Sequence, residues 1–320
     1  MKLEFNHNPV LLEECIENLN VKLDGIYVDG TLGGAGHSLR ILEKLSAKGS
    51  LIGIDRDIDS IKFAKEKLKN FNNVKYMNDN HDNMKQILKE LDIKRVDGIL
   101  LDLGVSSYQI DELLRGFSYT KDSPLDMRMD KSQKLTAKDV VNNYKEEELA
   151  RIIYEYGEER FSRQIARKIC EYRKEKEINS TDELVKIIEN SIPNFNKIKG
   201  GHPAKRTFQA IRIEVNNEIE PLYNTVKDSI DVLDEGGRLC IITFHSLEDR
   251  AVKNAYRDLS EGCTCPKDLP YCVCNKKSVG KIITKKPILP TELEMKINSR
   301  SKSAKLRVFE KGGGVTNAKS

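Results

Sequence analysis

Through the first third of the chain, short apolar runs alternate with stretches whose apolar residues recur at helical spacing. Strands are predicted near 26–29, 50–55, 74–77 and 96–102, and helices near 37–46, 58–69 and 83–91. A further segment, Val10 to Leu19, has helical spacing and caps the first strand. Strands alternating with helices imply an α/β fold, a mainly parallel sheet covered on both faces. Alternation then stops. Residues 103–130 read as a loop rich in Gly, Ser and Asp, and 135–200 shows only helical patterns, such as Glu159 to Lys176 and Asp182 to Asn190. The next strand is Gly237 to Thr243, preceded by one long helical pattern, Ala210 to Leu233, that ends at Asp234-Glu235-Gly236-Gly237. Lys281 to Ile283 and Lys305 to Phe309 add two strand candidates. The expected organisation is a discontinuous sheet domain (1–110 and 206–310), an all-helical insertion (111–205) and a disordered tail (311–320).

The ends of three strands carry the candidate chemistry. The first breaks into Asp29-Gly30-Thr31-Leu32-Gly33-Gly34-Ala35-Gly36-His37-Ser38, and glycines let a backbone turn through positive φ and approach a ligand closely. The second ends on Asp55, 25 residues after Gly30, near the spacing at which a doubly wound sheet sets an acid on a ribose hydroxyl. The fourth ends on Asp102 in Leu101-Asp102-Leu103-Gly104. Three strand mouths converging on one pocket suit an adenosine-type cofactor. The glycine spacing departs from the Gly-x-Gly-x-x-Gly of dinucleotide sites, which set a helix N-terminus on a pyrophosphate. A glycine-rich turn with no ligand is the alternative.

Composition narrows the class. In 320 residues, 38% are hydrophobic and 32% charged, which describes a globular chain with a charged surface. No apolar run approaches a membrane span and the N-terminus lacks a signal-peptide core, so the expected location is the cytoplasm. The net charge of +4 is unevenly spread: Arg250 to Ser320 holds 16 Lys+Arg against 6 Asp+Glu. A basic terminal segment on a mildly acidic body suits a polyanion partner, or is a solvated lysine-rich stretch.

Several blocks, in order along nearly the whole chain, resemble the bacterial small-subunit rRNA cytosine-N4 methyltransferase family, called RsmH or MraW. They are His7-Asn8-Pro9-Val10-Leu11-Leu12-Glu13-Glu14, the Asp29 to Ser38 loop, Leu101 to Ser107 with Gln109, and Gly116-Phe117-Ser118-Tyr119. Pro124 to Asp130, Tyr156 to Phe161, His202 to Arg212, Phe244 to Arg250 and Ser303 to Arg307 continue the match. The resemblance implies a Rossmann-like methyltransferase sheet with an inserted helical domain for substrate recognition. It implies S-adenosylmethionine (SAM) as cofactor and a cytidine in the decoding region of 16S rRNA as target, within the small ribosomal subunit. Family cofactor contacts carry over by position to Ala35, Gly36, His37, Asp55, Asp102 and Gln109. A further position, usually aromatic, is His81 here; imidazole can stack on adenine and also hydrogen-bond.

For such a reaction the exocyclic amine is a poor nucleophile, its lone pair being delocalised into the ring, so alignment and a proton acceptor are needed. Asp102 is the best-placed carboxylate, either as that acceptor or as a ligand for the cofactor's amino-acid end. A base drawn from its stack needs an aromatic surface, for which Tyr108, Phe117, Tyr119 and Phe244 are candidates, or else these rings anchor loops. Arg128, Lys205, Arg206 and Arg212 suit RNA phosphates, or ion pairs with Asp126, Asp130 or Glu214. His245 either bonds the base or caps the following helix with Ser246. Cys263-Thr264-Cys265 and Cys272-Val273-Cys274 fit a tetrahedral zinc site or reduced surface thiols, and no metal ligand is assigned. Cys15, Cys170 and Cys240 sit in apolar patterns and read as core. Competing functions are a nicotinamide-dependent oxidoreductase and an RNA-binding assembly factor with a vestigial pocket.

Overall fold

The computed structural model describes residues 9–193, 202–263, 265, 273–274 and 276–312. The chain divides into two compact units, Met1–Gly104 with Ile219–Ser320, and Val105–Glu218.

The strands are β1 Ile26–Asp29, β2 Ser50–Ile54, β3 Val74–Met77, β4 Val96–Asp102, β5 Leu233–Thr243, β6 Gly280–Ile282 and β7 Lys305–Lys311. They form one sheet in the order β3-β2-β1-β4-β5-β7-β6, with β7 antiparallel to both neighbours and the first five strands parallel. Asp29 sits beside Gly53 on one side and Leu100 on the other. The order reverses between β1 and β4, and a crevice at the carboxyl ends of such strands is where open α/β sheets bind ligands.

The strands read as apolar runs because the sheet is buried on both faces. Ile99, Leu101, Leu239 and Ile241 pack on one side, with Ile87, Val226, Ile230, Val252 and Tyr256 from the covering helices. Tyr27, Leu51, Leu100, Cys240 and Ile242 pack on the other, with Ile16, Leu19, Ile41, Leu42 and Ile61. The period-2 alternation within β4 and β5 divides the residues between these cores.

The helices of this unit are α1 Leu12–Leu19, α2 Gly36–Lys44, α3 Ile58–Lys67 and α4 Met84–Glu90. The helical unit holds α5 Ser107–Asp111, α6 Ala137–Asn143, α7 Glu146–Glu155, α8 Ser162–Tyr172, α9 Thr181–Ser191 and α10 Ala204–Asn216. The sheet unit then resumes with α11 Leu222–Val232, α12 Ser246–Ser260 and α13 Glu292–Ile297. α6 to α10 bury one core of their own, including Val140, Leu149, Ile152, Ile165, Ile169, Leu184, Ile188 and Ile211.

Two expectations are corrected. The pattern Ala210 to Leu233 is two helices, because Asn217 adopts a left-handed conformation (φ 47°) that ends α10, and Pro221 caps α11. β7 runs through Lys311, inside the segment expected to be disordered, and that residue pairs with Gly280; 313–320 lie outside the described residues, as do His7 and Asn8 of the first motif.

Candidate active site

The loop after β1 is fastened to the neighbouring strand ends. Gly30 N–H donates to Leu100 O (2.9 Å), Leu32 N–H to Ile54 O (3.0 Å), and Asp102 N–H to Thr31 Oγ1 (2.6 Å). Gly30 has no room for a side chain, since a Cβ there would stand 2.4 Å from Leu101 Cδ2. A Cβ on Gly36 would meet Pro9 Cγ at 2.1 Å. These two glycines serve protein packing as much as ligand approach. Gly33 (φ 44°) and Ala35 (φ 51°) take the left-handed turn into α2. For Ala35, with a Cβ, that is a strained conformation of the kind held at functional sites. α2 begins at Gly36 with no side-chain cap, so the first N–H groups of the helix, on Gly36, His37 and Ser38, have no intrahelical acceptor.

Asp55 accepts from the Gly33 N–H (2.8 Å) on one oxygen and the Asp57 N–H (2.8 Å) on the other. Asp29, 2% exposed, accepts from Ser38 Oγ (2.6 Å) and the Thr31 N–H (3.2 Å). Asp102 receives nothing on Oδ1, although that atom is buried. Among the described residues none of these three acids forms an ion pair. Burial pushes the Asp29 and Asp55 carboxyls up to about 6 against the hydrogen bonds that favour their charged forms. Asp102 is pushed up to about 8, first by burial and then by the Asp29 and Glu248 carboxylates. The site is thus a cluster of acids, Asp29 buried and Asp55 and Asp102 partly so, with no ion-pair partner at contact distance among the described residues and with Arg56 beside Asp55 as a nearby positive charge. That is an unstable arrangement for the protein alone and a receptive one for a positively charged ligand.

Two histidines border it as neutral rings. His37 is buried and donates Nε2–H to Val10 O (3.0 Å), and desolvation lowers its pKa to about 4. Its side chain therefore ties the segment before α1 to α2, which leaves its backbone N–H as the group offered at the helix start. His81, in the turn after β3, is also lowered to about 4, by burial. Its Nδ1 lies 2.7 Å from Asn80 Oδ1, an acceptor that also takes the Asp82 N–H. The hydrogen therefore sits on Nδ1, and Nε2 keeps a lone pair.

At the mouth of β5, His245 caps α12: its Nδ1 accepts from Glu248 N–H (3.4 Å), while Glu248 Oε2 takes the Phe244 (2.7 Å) and His245 (3.3 Å) N–H groups. Of the two roles open to His245, capping is the one observed. Phe244 stays half-buried on the same sheet face as Cys240 and Ile242.

A sequence profile of the MraW methylase family matches residues 4–312. The chain belongs to that family. It is 60% identical over 310 residues to the Ribosomal RNA small subunit methyltransferase H of Clostridium botulinum (strain 657 / Type Ba4), covering 97% of this chain and 100% of that protein. Proteins of the same name from Lachnospira eligens and Clostridioides difficile (strain 630) are 58% and 55% identical, each over 97% of this chain and 98% and 100% of theirs.

The helical unit accounts for several family motifs as scaffold. Gln109, 4% exposed, places Oε1 on the Ser106 N–H (3.0 Å) in a capping box of α5. The Pro124 to Asp130 block is a loop that buries Leu125, Met127 and Met129. Asn216 donates to Met127 O and accepts from Met129 N–H, both at 2.8 Å, and Arg115 donates to the Arg128 and Met129 carbonyls, both at 2.9 Å. Arg128 makes a two-pronged pair with Asp126 (2.8 Å each) and also donates to Lys131 O and Gln133 O. Arg212 does the same with Glu218 (2.9 Å each), not Glu214, which accepts from Tyr144 Oη (2.9 Å). Lys205 and Arg206 are exposed, and Arg206 donates to Glu158 O (3.3 Å) and pairs with Glu159 (3.8 Å). Phe117 and Tyr119 pack on the helical core, Tyr119 stacking at 4.8 Å from the His202 ring, so loop anchoring is their observed role. No helix among the described residues is long and apolar enough to cross a membrane. Sequence reasoning missed Thr31, Ser38 and Glu248. Of these only Glu248 carried a signal, the three-residue spacing of a capping box after His245.

Proposed function

We propose that this chain transfers the methyl group of SAM to N4 of a cytidine in the decoding region of 16S rRNA, acting in the cytoplasm on the small ribosomal subunit. The observation that carries the reading is the cluster of three acids, Asp29, Asp55 and Asp102, with raised pKa values and, at Asp102 Oδ1, no partner, at the strand ends of a methylase-family sheet. The relatives' shared name supports ribosomal RNA of the small subunit as substrate.

The residues present fit the cofactor. Each Asp55 oxygen already accepts one N–H and has a second lone pair for a ribose hydroxyl. The N–H groups of Gly36 and His37 at the start of α2 suit a carboxylate, and Ala35, in its left-handed conformation, sets their direction. His81 offers a neutral ring face and a Nε2 lone pair, the complement of adenine's π-system and amino hydrogens. The resemblance also assigns Gln109 a cofactor contact, and its side-chain oxygen and backbone N–H are engaged in the α5 capping box. SAM supplies, when bound, an electrophilic sulfonium methyl and a positive charge. A nicotinamide dinucleotide would instead bring two pyrophosphate charges to buried acids, which disfavours that reading.

Asp102 is the proposed proton acceptor. A cation near it offsets Asp29 and Glu248 and returns the carboxyl toward its ionised form, which orients the amine through one hydrogen and receives that hydrogen as the amine's lone pair is used. Phe244, half-buried at the mouth of β5, is the aromatic group proposed to receive an extruded base. Lys205 and Arg206, the exposed cations of the His202 to Arg212 motif, are proposed to meet phosphates, Arg206 by giving up its exposed-side contact with Glu159. The test is incubation of the protein with isotope-labelled SAM and either small subunits or naked 16S rRNA, then nuclease digestion and mass spectrometry. Label in N4-methylcytidine at one site is expected. Label in another nucleoside, or none on either substrate, rejects the proposal.

A further inference from the structure

The connection from α12 to β6 is long for a compact fold, nineteen residues (261–279) without regular structure among those described. Its base is closed. Val279 N–H donates to Leu259 O (3.0 Å), and Lys276 Nζ pairs with Asp258 (2.7 Å). Within it Cys263, Cys265 and Cys274 bring their sulfurs within 4.8 Å of one another, joining residues from opposite limbs of the loop. Cys263 and Cys274 Sγ lie 3.7 Å apart. That is far beyond the ~2.05 Å of a disulfide. It matches the ~3.8 Å between two sulfurs at the corners of a tetrahedron with ~2.3 Å zinc–sulfur bonds. The sulfurs also accept backbone hydrogen bonds: Cys265 N–H points to Cys263 Sγ (3.4 Å) and Val273 N–H to Cys265 Sγ (3.3 Å). Such N–H groups stabilise thiolate charge and orient ligand sulfurs, the outer-shell arrangement a metal–thiolate centre uses. The surroundings add positive charge, with six lysines and two acids in 261–286.

We propose that Cys263, Cys265 and Cys274 bind a structural zinc ion that clasps this loop against the edge of the sheet. Each thiol gives its proton to the buffer as its sulfur joins the metal, and the metal stays divalent throughout. The fourth position is left for a further donor, for which the sequence offers Cys272, outside the described residues. The ion serves to order a lysine-rich segment that apolar burial does not hold, Val273 being 72% exposed.

The experiment is metal analysis of the full-length protein, purified anaerobically with a phosphine reductant and equilibrated with zinc, by elemental analysis and native mass spectrometry. About one zinc per chain is expected. Exchange with cobalt should give the charge-transfer and intense visible bands of tetrahedral thiolate coordination. Cys263→Ser and Cys274→Ser should each reduce bound metal at least tenfold, while Cys170→Ser retains it. Circular dichroism of the chelator-stripped wild-type chain, with recovery of the cobalt spectrum on metal return, separates metal loss from unfolding. No metal in the reduced wild-type protein, or full metal retained in both serine variants, overturns the proposal. So does a disulfide among these cysteines in protein kept reduced.

Discussion

Replacing Asp102 with Asn should stabilise the ligand-free protein at neutral pH while abolishing methyl transfer. The folded chain keeps the Asp102 proton until about pH 8, whereas the unfolded chain releases it near 3.8. Stability attributable to this residue is therefore highest in acid, falls as pH rises from about 4, and levels off above about 8. At about 1.4 kcal/mol per unit, the cost of keeping the proton at pH 7 is on the order of 4 kcal/mol, a ceiling that water entry and relaxation reduce. Asn copies the shape of the neutral acid without that cost. The assay is chemical denaturation of wild type and Asp102→Asn at a series of pH values, with amide exchange in β1, β4 and β5 reporting the sheet unit. Between about pH 6.5 and 8, Asp29 and Asp55 are mostly ionised and the neutral histidines contribute little slope, so Asp102 dominates. The variant should gain about 2–4 kcal/mol over wild type at pH 7 and almost nothing at pH 4. A variant less stable than wild type at pH 7, or a difference constant between pH 5 and 8, refutes the reasoning. Near-normal turnover by Asp102→Ala would separately remove the residue from the mechanism.

Ser38→Ala removes the 2.6 Å donor to buried Asp29; a loss of about 1–2 kcal/mol and a further rise of the Asp29 pKa are expected, read by denaturation and carboxyl NMR. His37, neutral in the fold with its pKa lowered to about 4, contributes stability that is complete above about pH 6.5 and is lost as pH falls toward 4. His37→Gln, which keeps a donor for Val10 O, should lessen that acid sensitivity by up to about 3 kcal/mol in the wild-type-minus-variant difference; an unchanged difference across that range contradicts it. Arg128→Ala should destabilise the helical unit by about 2–4 kcal/mol, because Asp126 and two carbonyls lose their partner. Lys205→Glu, at an exposed side chain, should leave thermal stability nearly unchanged and weaken RNA binding at low salt, measured by filter binding across a salt series.

The sheet was legible from the sequence because a parallel sheet buried on both faces leaves apolar runs bounded by turns, as in Leu51 to Ile54 and Ile99 to Leu101. Acids at the strand ends were legible for the same reason, since Asp55 and Asp102 break those runs abruptly. Helices such as α6 and α7 were not separated, because short amphipathic elements joined by two or three residues give one overlapping pattern. The α10–α11 break lies within a continuous apolar period, where left-handed Asn217 ends one helix and Pro221 starts the next. At the site, roles split between backbone and side chain were out of reach. Nothing in the sequence says that His37 turns its ring to Val10, or that Arg212 pairs with Glu218, whereas the Arg128 pair with Asp126 was one of the two roles the sequence offered. Motif residues can be fixed by packing as readily as by chemistry.

Calorimetric titration of the protein with SAM near pH 7, repeated in buffers of different ionisation enthalpy, tests the central claim most directly. A cation entering the acid cluster should displace the proton held by Asp102, so binding should release roughly 0.5–1 proton per ligand, and Asp102→Asn should lose that release. Absence of binding, or binding with no proton released by the wild-type protein, would contradict the account.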